Sequence, residues 1–357
     1  MAEEKKEKLL INKSGVEIQK GSSKEISKEE AIEFLKSHDR FLLIGHEHPD
    51  GDDVGSICAL HNALLLMGKE ADMVLPDPVP HVYTLVKTSA QVMTEIPKDR
   101  DYDALIFTDL GNLERGGRDK FDFPRVDSLC IDHHESNEHY TDYLYLKYRY
   151  AATAELLSEM FFDMGLTLDE DTCNALYMAL CTDSGFFSFS CTSEHTLTMA
   201  AKLVGMGAKP DYISNRLDER TPEALECWGR VASTIQTFAG GQIVTAFMDE
   251  KSMALDGENS DAYASIPRSL KGCQIAALLK YRTDKDGNVI TRISLRSTEH
   301  CNVGKLAAEF DGGGHWKASG CTIEKPIHEA LPILVEMAEK YLPGGEKYMV
   351  GRDKKES

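Results

Sequence analysis

Short apolar runs alternate with helical patterns over residues 38–220, and this alternation limits the possible folds more than any other feature of the sequence. The runs that predict strands are FLLIG (41–45), ADMVL (71–75), DALIFTD (103–109) and VDSLCID (126–132). Between the first two, DVGSICALHNALLLMG (53–68) predicts a helix. Because parallel strands need crossover connections, the alternation predicts an α/β fold, with a mostly parallel sheet flanked by helices on both faces.

The pattern changes after residue 220. Two strand-like runs flank KDGN, whose Asp-Gly step predicts a hairpin, and IHEALPILVEMAEKYL predicts a last helix. The predicted organisation is a polar N-terminal extension (1–37), a catalytic domain (38–220), a linker helix (221–238), a smaller α+β domain (239–345) and a polar tail (346–357). Within the extension, SKEEAIEFLKS (27–37) predicts a capped helix behind a mobile arm. We expect the active site to lie in the cleft between the two domains.

Composition restricts the partners. The chain has 40 basic and 59 acidic residues and a formal charge of −19, which opposes binding to long duplex nucleic acid. Its nine scattered cysteines form no CxxC pair and indicate reduced thiols, and no apolar run is long enough to cross a membrane. We therefore expect a cytoplasmic protein without a membrane partner. The sequence leaves the oligomeric state open, a homodimer included.

The stretch LIGHEHPDGDDVGS (43–56) follows a predicted strand and precedes a helix. A loop there can turn His46, Asp50 and Asp52 toward one point, and imidazole with several carboxylates suits Mn²⁺, with Mg²⁺ and Fe²⁺ as alternatives. The alternative interpretation is a helix N-terminus that Asp52 or Asp53 caps. We assign Asp53 to that capping role.

Further ligand-type residues follow other predicted elements. Asp109 ends a strand, IDHHESN (131–137) places an aspartate and two histidines after a strand, and Asp183 follows an apolar helix. Asp109 taken alone could simply cap the next turn, and Asp183 taken alone is a weak signal. The candidate metal ligands are His46, Asp50, Asp52, Asp109, His133 and Asp183. Six ligands suit two ions that share a bridging carboxylate.

Two patterns near the end could bind an anion. Gly312, Gly313 and Gly314 in DGGGHWKASG (311–320) let backbone N–H groups approach an anion closely, and His315 can donate to a phosphate oxygen. Arg296, in SLRS, ends a strand where its planar fork can hold a phosphate. The alternatives are an ordinary turn for the glycines and a salt bridge for the arginine.

Five motifs follow one another along the chain: the histidine- and aspartate-rich loop, the aspartate at a strand end, DHH, Asp-Ser-Gly-Phe and GGGH. With these motifs in this order, the chain resembles the DHH phosphoesterase superfamily from about residue 38 to 345. Within it the chain is similar to the stand-alone two-domain branch, which includes nanoRNase/3′-phosphoadenosine 5′-phosphate phosphatases and cyclic di-adenylate phosphodiesterases. Two departures are Asp53, where the family has a small residue, and FFSFS (186–190), which lacks a basic residue often found there.

The resemblance implies roles for single residues. It implies one Mn²⁺ on His46, Asp50 and Asp109 and a second on Asp52, Asp109, His133 and Asp183. It further implies that Asp132 orients the histidines and His134 faces the substrate phosphate. The residues that it implies for substrate binding are Arg296, Gly312, Gly313, Gly314, His315 and, near the metal site, Arg115.

The implied activity is Mn²⁺-dependent hydrolysis of oligoribonucleotides of two to five nucleotides, or of dinucleotides, to mononucleotides. A hydroxide activated by two metal ions would attack phosphorus, and 3′-phosphoadenosine 5′-phosphate could also lose its 3′-phosphate. One alternative is a phosphodiesterase of cyclic or linear di-adenylate in signalling. Another is a manganese inorganic pyrophosphatase, which DGGGHWKASG counts against. A nucleotide-binding module with an inactive site is opposed by the six intact candidate ligands.

Overall fold

The computed structural model describes residues 9–257, 260–298 and 300–347. The chain divides into two compact units, with the boundary between Glu219 and Arg220. Each unit has its own six-stranded sheet. Residues 1–8 of the predicted extension and residues 348–357 of the predicted tail lie outside the described part of the chain.

The sheet of the first unit is parallel at every strand pair. Its strands are β1 (Lys24–Glu25), β2 (Arg40–Ile44), β3 (Glu70–Val74), β4 (Ala104–Thr108), β5 (Asp127–Asp132) and β6 (Tyr143–Leu146). They are ordered β1-β6-β5-β4-β2-β3. The four predicted strands are present with small shifts at their ends, and the α/β class is confirmed. The sequence did not predict β1 and β6, which are short.

Helices cover one face of this sheet. They are α1 (Lys28–Ser37), α2 (Gly51–Leu66), α3 (Thr153–Asp163), α4 (Glu170–Asp183), α5 (Glu194–Met206) and α6 (Pro210–Leu217). Their buried side chains share a core with Phe41 and Leu43 of β2. On the other face, Leu42 packs with Leu110 and Phe121, which lie in the connection that follows β4. The prediction of helices on both faces is therefore wrong for the described residues, because this connection buries apolar side chains without forming an α-helix.

The N-terminal segment belongs to the first unit, which corrects the predicted mobile arm over its described part. Leu10 and Ile18 are 4% and 7% exposed and join the core on the face that lacks helices. Strand β1 pairs with β6 through backbone hydrogen bonds. Ser27 caps α1 in a capping box with Glu30, as the sequence predicts. Two apolar residues and one strand pair thus hold an otherwise polar segment on the fold.

The second unit has a mixed sheet. Its strands are β7 (Gln236–Phe238), β8 (Ile243–Met248), β9 (Ile275–Thr283), β10 (Val289–Ser297), β11 (Gly313–Gly314) and β12 (Ala318–Ile323), ordered β11-β12-β10-β9-β8-β7. Its helices are α7 (Pro222–Ser233), α8 (Glu250–Asp256), α9 (Ser265–Arg268), α10 (Val303–Ala308) and α11 (Ile327–Glu339). Strands β9 and β10 form the predicted hairpin. Among the described residues, no helix is long and apolar enough to cross a membrane.

The predicted linker helix over 221–238 is wrong in extent. Helix α7 ends at Ser233, and Gln236–Phe238 form β7, which pairs antiparallel with β8. Cys227 and Val231 of α7 are fully buried in the core of the second unit. The helix therefore packs as part of that unit, and the following segment, with β-branched and aromatic residues in TIQTF, extends as an edge strand.

Gly55 lets α2 pack closely against α4. A Cβ at this position would lie 2.4 Å from the carbonyl oxygen of Ala175 and 2.8 Å from the Cβ of Ala179. Because neither group can swing aside, we expect Gly55→Ala to lower the free energy of unfolding by about 1–3 kcal/mol, measured by urea denaturation. At Gly205 in α5 nothing lies within 4 Å, so Gly205→Ala should raise it by about 0.5–1 kcal/mol. Equal stability of the two variants would contradict this packing.

Candidate metal centre

Ligand-type side chains gather at the carboxyl edge of the first sheet. His46 follows β2, Asp109 follows β4 and His133 follows β5, and these three strands are neighbours in one parallel sheet. The carboxyl ends of such strands lie at the same edge, where ligands bind in open α/β sheets. Asp50, at the start of α2, and Asp183, the last residue of α4, complete the group.

The side chains form two clusters that share Asp109. His46 Nε2 lies 3.7 Å from Asp50 Oδ2 and 3.7 Å from Asp109 Oδ2. His133 Nε2 lies 3.4 Å from Asp109 Oδ1 and 3.2 Å from Asp183 Oδ2. Each carboxylate oxygen of Asp109 therefore faces a different histidine. Donors bound at about 2.1 Å to one ion lie about 3–3.5 Å apart; the separations around His133 fall in this range, and those around His46 lie slightly above it.

Asp109 is held in an unusual conformation. Its φ is +55°, in the left-handed region that aspartate adopts more readily than most non-glycine residues. The hydroxyl of Thr153 donates to Asp109 Oδ1 at 3.0 Å, and the Asp109 backbone N–H donates to the carbonyl of Ile131 at 3.1 Å. A buried carboxylate in a strained backbone position is typical of a functional site.

Backbone carbonyls orient both histidines. Nδ1 of His133 lies 3.2 Å from the carbonyl oxygen of Tyr150, and Nδ1 of His46 lies 2.8 Å from that of Glu47. With the proton on Nδ1, each Nε2 presents a lone pair to the carboxylates, which is the tautomer a metal ion needs. Nε2 of His133 is buried and makes no hydrogen bond within the described part of the chain. A divalent cation fits this orphaned nitrogen.

The cluster carries an excess of negative charge. Burial alone would lower the pKa of His46, but neighbouring carboxylates, chiefly Asp53 and Asp109, raise it to about 11. Burial, together with repulsion from Asp183, raises the pKa of Asp52 to about 6. Neighbouring carboxylates contribute to both pKa shifts, while burial adds to the shift of Asp52 and opposes that of His46. Bound cations would neutralise that charge.

The acidic residues of the first loop differ from the capping prediction. Asp50 caps α2, accepting from the backbone N–H groups of Asp52 and Asp53, so neither Asp52 nor Asp53 is its cap. Asp52 instead accepts from the backbone N–H groups of Thr153 (2.6 Å) and Ala154 (3.0 Å) at the start of α3, where Ala152 offers no cap. Its Oδ2 still lies 3.9 Å from His133 Nε2.

Asp53 is fully buried behind His46. Its Oδ2 accepts from the backbone N–H of His46 at 3.2 Å, and its Oδ1 makes no hydrogen bond among the described residues. Burial and the neighbouring Asp50 raise the pKa of Asp53 to about 7, against the opposing effect of His46. Asp53 therefore stabilises the turn after β2 through its hydrogen bond to the His46 backbone.

Asp132 lies under the two histidines. Its Oδ1 accepts from the backbone N–H groups of His133 (2.8 Å) and His134 (3.2 Å) and lies 2.7 Å from His134 Nδ1. Asn137, which the sequence reasoning did not select although it ends the IDHHESN motif, donates to Asp132 Oδ2 at 2.6 Å. His134 Nδ1 also lies 3.6 Å from Asp109 Oδ1, and its side chain is 35% exposed. A substrate could reach this ring.

Arg115 lies against the cluster. Its Nη2 is 2.8 Å from His46 Nδ1 and 3.4 Å from the carbonyl oxygen of Glu47. A guanidinium can only donate, so its contact with Nδ1 and the contact of Nδ1 with Glu47 require opposite tautomers of His46. When His46 binds a cation through Nε2, its Nδ1 carries the proton and no longer accepts from Arg115. Of these two acceptors the guanidinium then keeps only the Glu47 carbonyl, and its other N–H groups are available to an anion.

The remaining candidates form a group within the second unit. Arg296, on β10, pairs in register with Ala318 of β12, and the backbone N–H of His315 donates to the carbonyl of Ala318 at 2.7 Å. Gly313 and Gly314 form β11, and a Cβ at Gly314 would lie 2.6 Å from the Cα of Ser319. Glycine is thus needed at Gly314 for close strand pairing, whereas nothing lies within 4 Å of a Cβ at Gly313, and His315 is exposed next to them.

Known proteins match both units. The DHH family, N-terminal domain, matches residues 40–180, and the DHHA1 domain matches residues 240–343. A bifunctional oligoribonuclease and PAP phosphatase NrnA of Thermus thermophilus is 27% identical over 300 residues, which cover 82% of this chain and 87% of that protein. The protein of the same name from Bacillus subtilis is 24% identical over 302 residues, 83% of this chain and 93% of its own length.

The fold is also similar to that of a solved structure. An exopolyphosphatase-related protein from Bacteroides fragilis superposes with a TM-score of 0.78 at 22% identity, covering 88% of this chain and 96% of that one. The likeness concerns the fold, whereas the DHH match concerns the sequence that carries His46, Asp109 and His133; Asp183 lies just beyond its end. With a DHH domain followed by a DHHA1 domain, the chain belongs to the DHH family of metal-dependent phosphoesterases.

Proposed function

We propose that the protein hydrolyses short oligoribonucleotides of two to five nucleotides to mononucleotides and removes the 3′-phosphate of 3′-phosphoadenosine 5′-phosphate, with two Mn²⁺ ions. The observation that carries the proposal is the pair of clusters sharing Asp109, whose two oxygens face His46 and His133. The names of the relatives from Thermus and Bacillus support the choice of substrates. Imidazole mixed with carboxylates supports Mn²⁺.

The proposed ligands follow from the two clusters. One ion would bind His46, Asp50 and Asp109, and the other Asp52, Asp109, His133 and Asp183. When bound, such ions act as Lewis acids that activate water for attack on phosphorus and neutralise the phosphoryl oxygens. The chain supplies the geometry, since Tyr150 and Glu47 fix the histidine rings and Thr153 fixes Asp109.

Other side chains would handle the substrate. We propose that His134, as an imidazolium whose Nδ1–H donates to Asp132, donates through Nε2 to a phosphoryl oxygen as negative charge develops on it. Arg115 would bind the same phosphate from the His46 side. In the second unit, Arg296, His315 and the backbone of the three glycines at 312–314 would bind the nucleotide end.

The first test is a substrate panel. The metal-stripped protein is supplied with Mn²⁺ and offered pApA, a five-nucleotide RNA, a long single-stranded RNA, 3′-phosphoadenosine 5′-phosphate, cyclic di-adenylate and pyrophosphate. We expect mononucleotide release from the short RNAs and phosphate release from 3′-phosphoadenosine 5′-phosphate. The long RNA should be cut much more slowly, because a chain with a charge of −19 offers little to an extended polyanion. Chromatography of the products gives each rate.

Two outcomes would count against the proposal. Equal rates on long and short RNA would remove the length preference. Turnover of pyrophosphate with silence on every nucleotide would assign the centre to a different phosphoesterase activity. Replacing Mn²⁺ by Mg²⁺, Fe²⁺ or Zn²⁺ in the same panel tests the choice of metal.

A further inference from the structure

Trp316 stands at the tip of a hairpin in the second unit. The backbone N–H of His315 donates to the carbonyl of Ala318 at 2.7 Å, which closes the turn and leaves Trp316 and Lys317 at its tip. The Trp316 side chain is 46% exposed, whereas tryptophan is on average a well-buried residue. Packing of the core therefore does not explain this indole.

The tip is anchored to the end of β10. The backbone N–H of Ser297 donates to the carbonyl of Lys317 at 3.0 Å, and that of Val303 donates to the carbonyl of Trp316 at 2.9 Å. The Ser297 hydroxyl also donates to the Trp316 carbonyl at 3.3 Å. These bonds fix the backbone of Trp316. Because the side chain has only two rotatable angles, little conformational entropy is lost when the ring binds a ligand.

The anchoring residue, Ser297, directly follows Arg296. Arg296, whose guanidinium suits a phosphate, also pairs in register with Ala318, two residues after Trp316, so the backbones of the arginine and the tryptophan lie close together. Bases stack on aromatic side chains with little regard to their identity, and a nucleotide carries a phosphate and a base within one residue. Charge also favours this unit for an anion, since residues 220–357 hold 18 basic and 19 acidic residues in a chain that is strongly acidic overall.

We propose that Trp316 is a specificity-determining residue that stacks on the base of the nucleotide whose phosphate Arg296 binds. The inference rests on the proposed function, because it takes a short nucleotide as the substrate. Stacking favours nucleotides over phosphates that lack a base, and it accepts any of the four bases.

Fluorescence can test the stacking directly. The sequence has two tryptophans, so Trp228→Phe leaves Trp316 as the sole one. With a chelator present to prevent turnover, we expect 5′-AMP to quench the emission of the Trp228→Phe protein in a saturable manner. Ribose 5-phosphate, which has the phosphate and sugar but no base, should leave the emission unchanged.

Kinetics supply the second readout. We expect Trp316→Ala to raise KM for pApA about 5- to 150-fold, the range of one stacked base, with a smaller change in kcat. Trp316→Phe keeps an aromatic face and should restore most of the affinity. Unchanged melting temperatures of both variants, expected for an exposed side chain, show that the fold is intact.

The outcomes separate the two proposals. The stacking role is overturned if 5′-AMP does not quench the emission, or if Trp316→Ala leaves the KM for pApA unchanged. In either case, wild-type turnover of pApA leaves the proposed function standing. If the wild-type protein does not hydrolyse pApA, the proposed function fails, and the 5′-AMP titration still decides whether Trp316 stacks on a base.

Discussion

Replacing Asp109 by asparagine is expected to reduce hydrolysis of pApA at least ~10³-fold in the presence of Mn²⁺. The two oxygens of this carboxylate face His46 and His133, at 3.7 and 3.4 Å from their Nε2 atoms. Asparagine supplies one neutral oxygen, and its NH₂ group would face the other histidine, so one proposed ion loses a ligand and the other keeps only an uncharged one. The measurement is the initial rate of AMP release over a range of Mn²⁺ concentrations.

Asp72→Asn is the matched control. Asp72 lies on β3, within the strand, where its 11% exposed side chain pairs with the half-exposed Arg100 at 3.2 Å, a surface ion pair that contributes little, and accepts from the Tyr102 hydroxyl at 2.8 Å. Asparagine can keep that bond, so the control should retain the wild-type rate. An Asp109→Asn protein with a near-wild-type rate would contradict the assignment of this carboxylate to both ions.

Binding of Mn²⁺ is expected to raise the melting temperature by roughly 5–10 °C over the protein in chelator. A ligand at 100 times its Kd stabilises the folded state by about 2.7 kcal/mol, and each kcal/mol corresponds to about 2–4 °C in a domain of ~150–250 residues. The reason here is electrostatic. Burial raises the pKa of Asp109 well above its ordinary range, with a further contribution from Asp52, so the metal-free fold confines like charges that a cation neutralises. Calorimetry gives the shift.

Asp109→Asn also serves as the control for this measurement. Without metal it should melt at or above the wild-type temperature, because the substitution removes a buried negative charge and keeps an acceptor for the Thr153 hydroxyl. With Mn²⁺ its shift should be much smaller than that of the wild type. A wild-type shift in this variant would show that the stabilising ion binds elsewhere.

Local sequence predicted the strands that carry the site. Each of β2, β3, β4 and β5 is an apolar run bounded by polar residues, and such runs are recognisable without knowledge of their neighbours. The short strands β1 and β6 were not predicted, because they lack a recognisable pattern of this kind. Lys24–Glu25 has no strand pattern of its own and is extended because β6 offers it hydrogen bonds. At 236–238, pairing with β8 ends the helical pattern earlier than local sequence indicates.

The site was predictable in its residue types and only partly in its geometry. The histidines and aspartates follow strand ends, which pointed to one edge of a sheet. No local pattern relates Asp52 to the start of α3, since its bond to the Thr153 N–H joins residues 101 positions apart. The tether of His133 to the Tyr150 carbonyl and the role of Asn137 beneath Asp132 likewise depend on how loops fold back.

The sequence by itself determined the α/β class, the order of the motifs and which side chains could hold metal, because strand patterns and motif spacing are properties of neighbouring residues. The tertiary structure decided that β2, β4 and β5 lie side by side, that each Asp109 oxygen faces a different histidine, and that Asp50 rather than Asp52 caps α2. These features depend on contacts between distant parts of the chain, and packing of the whole unit selects among arrangements that local sequence permits equally.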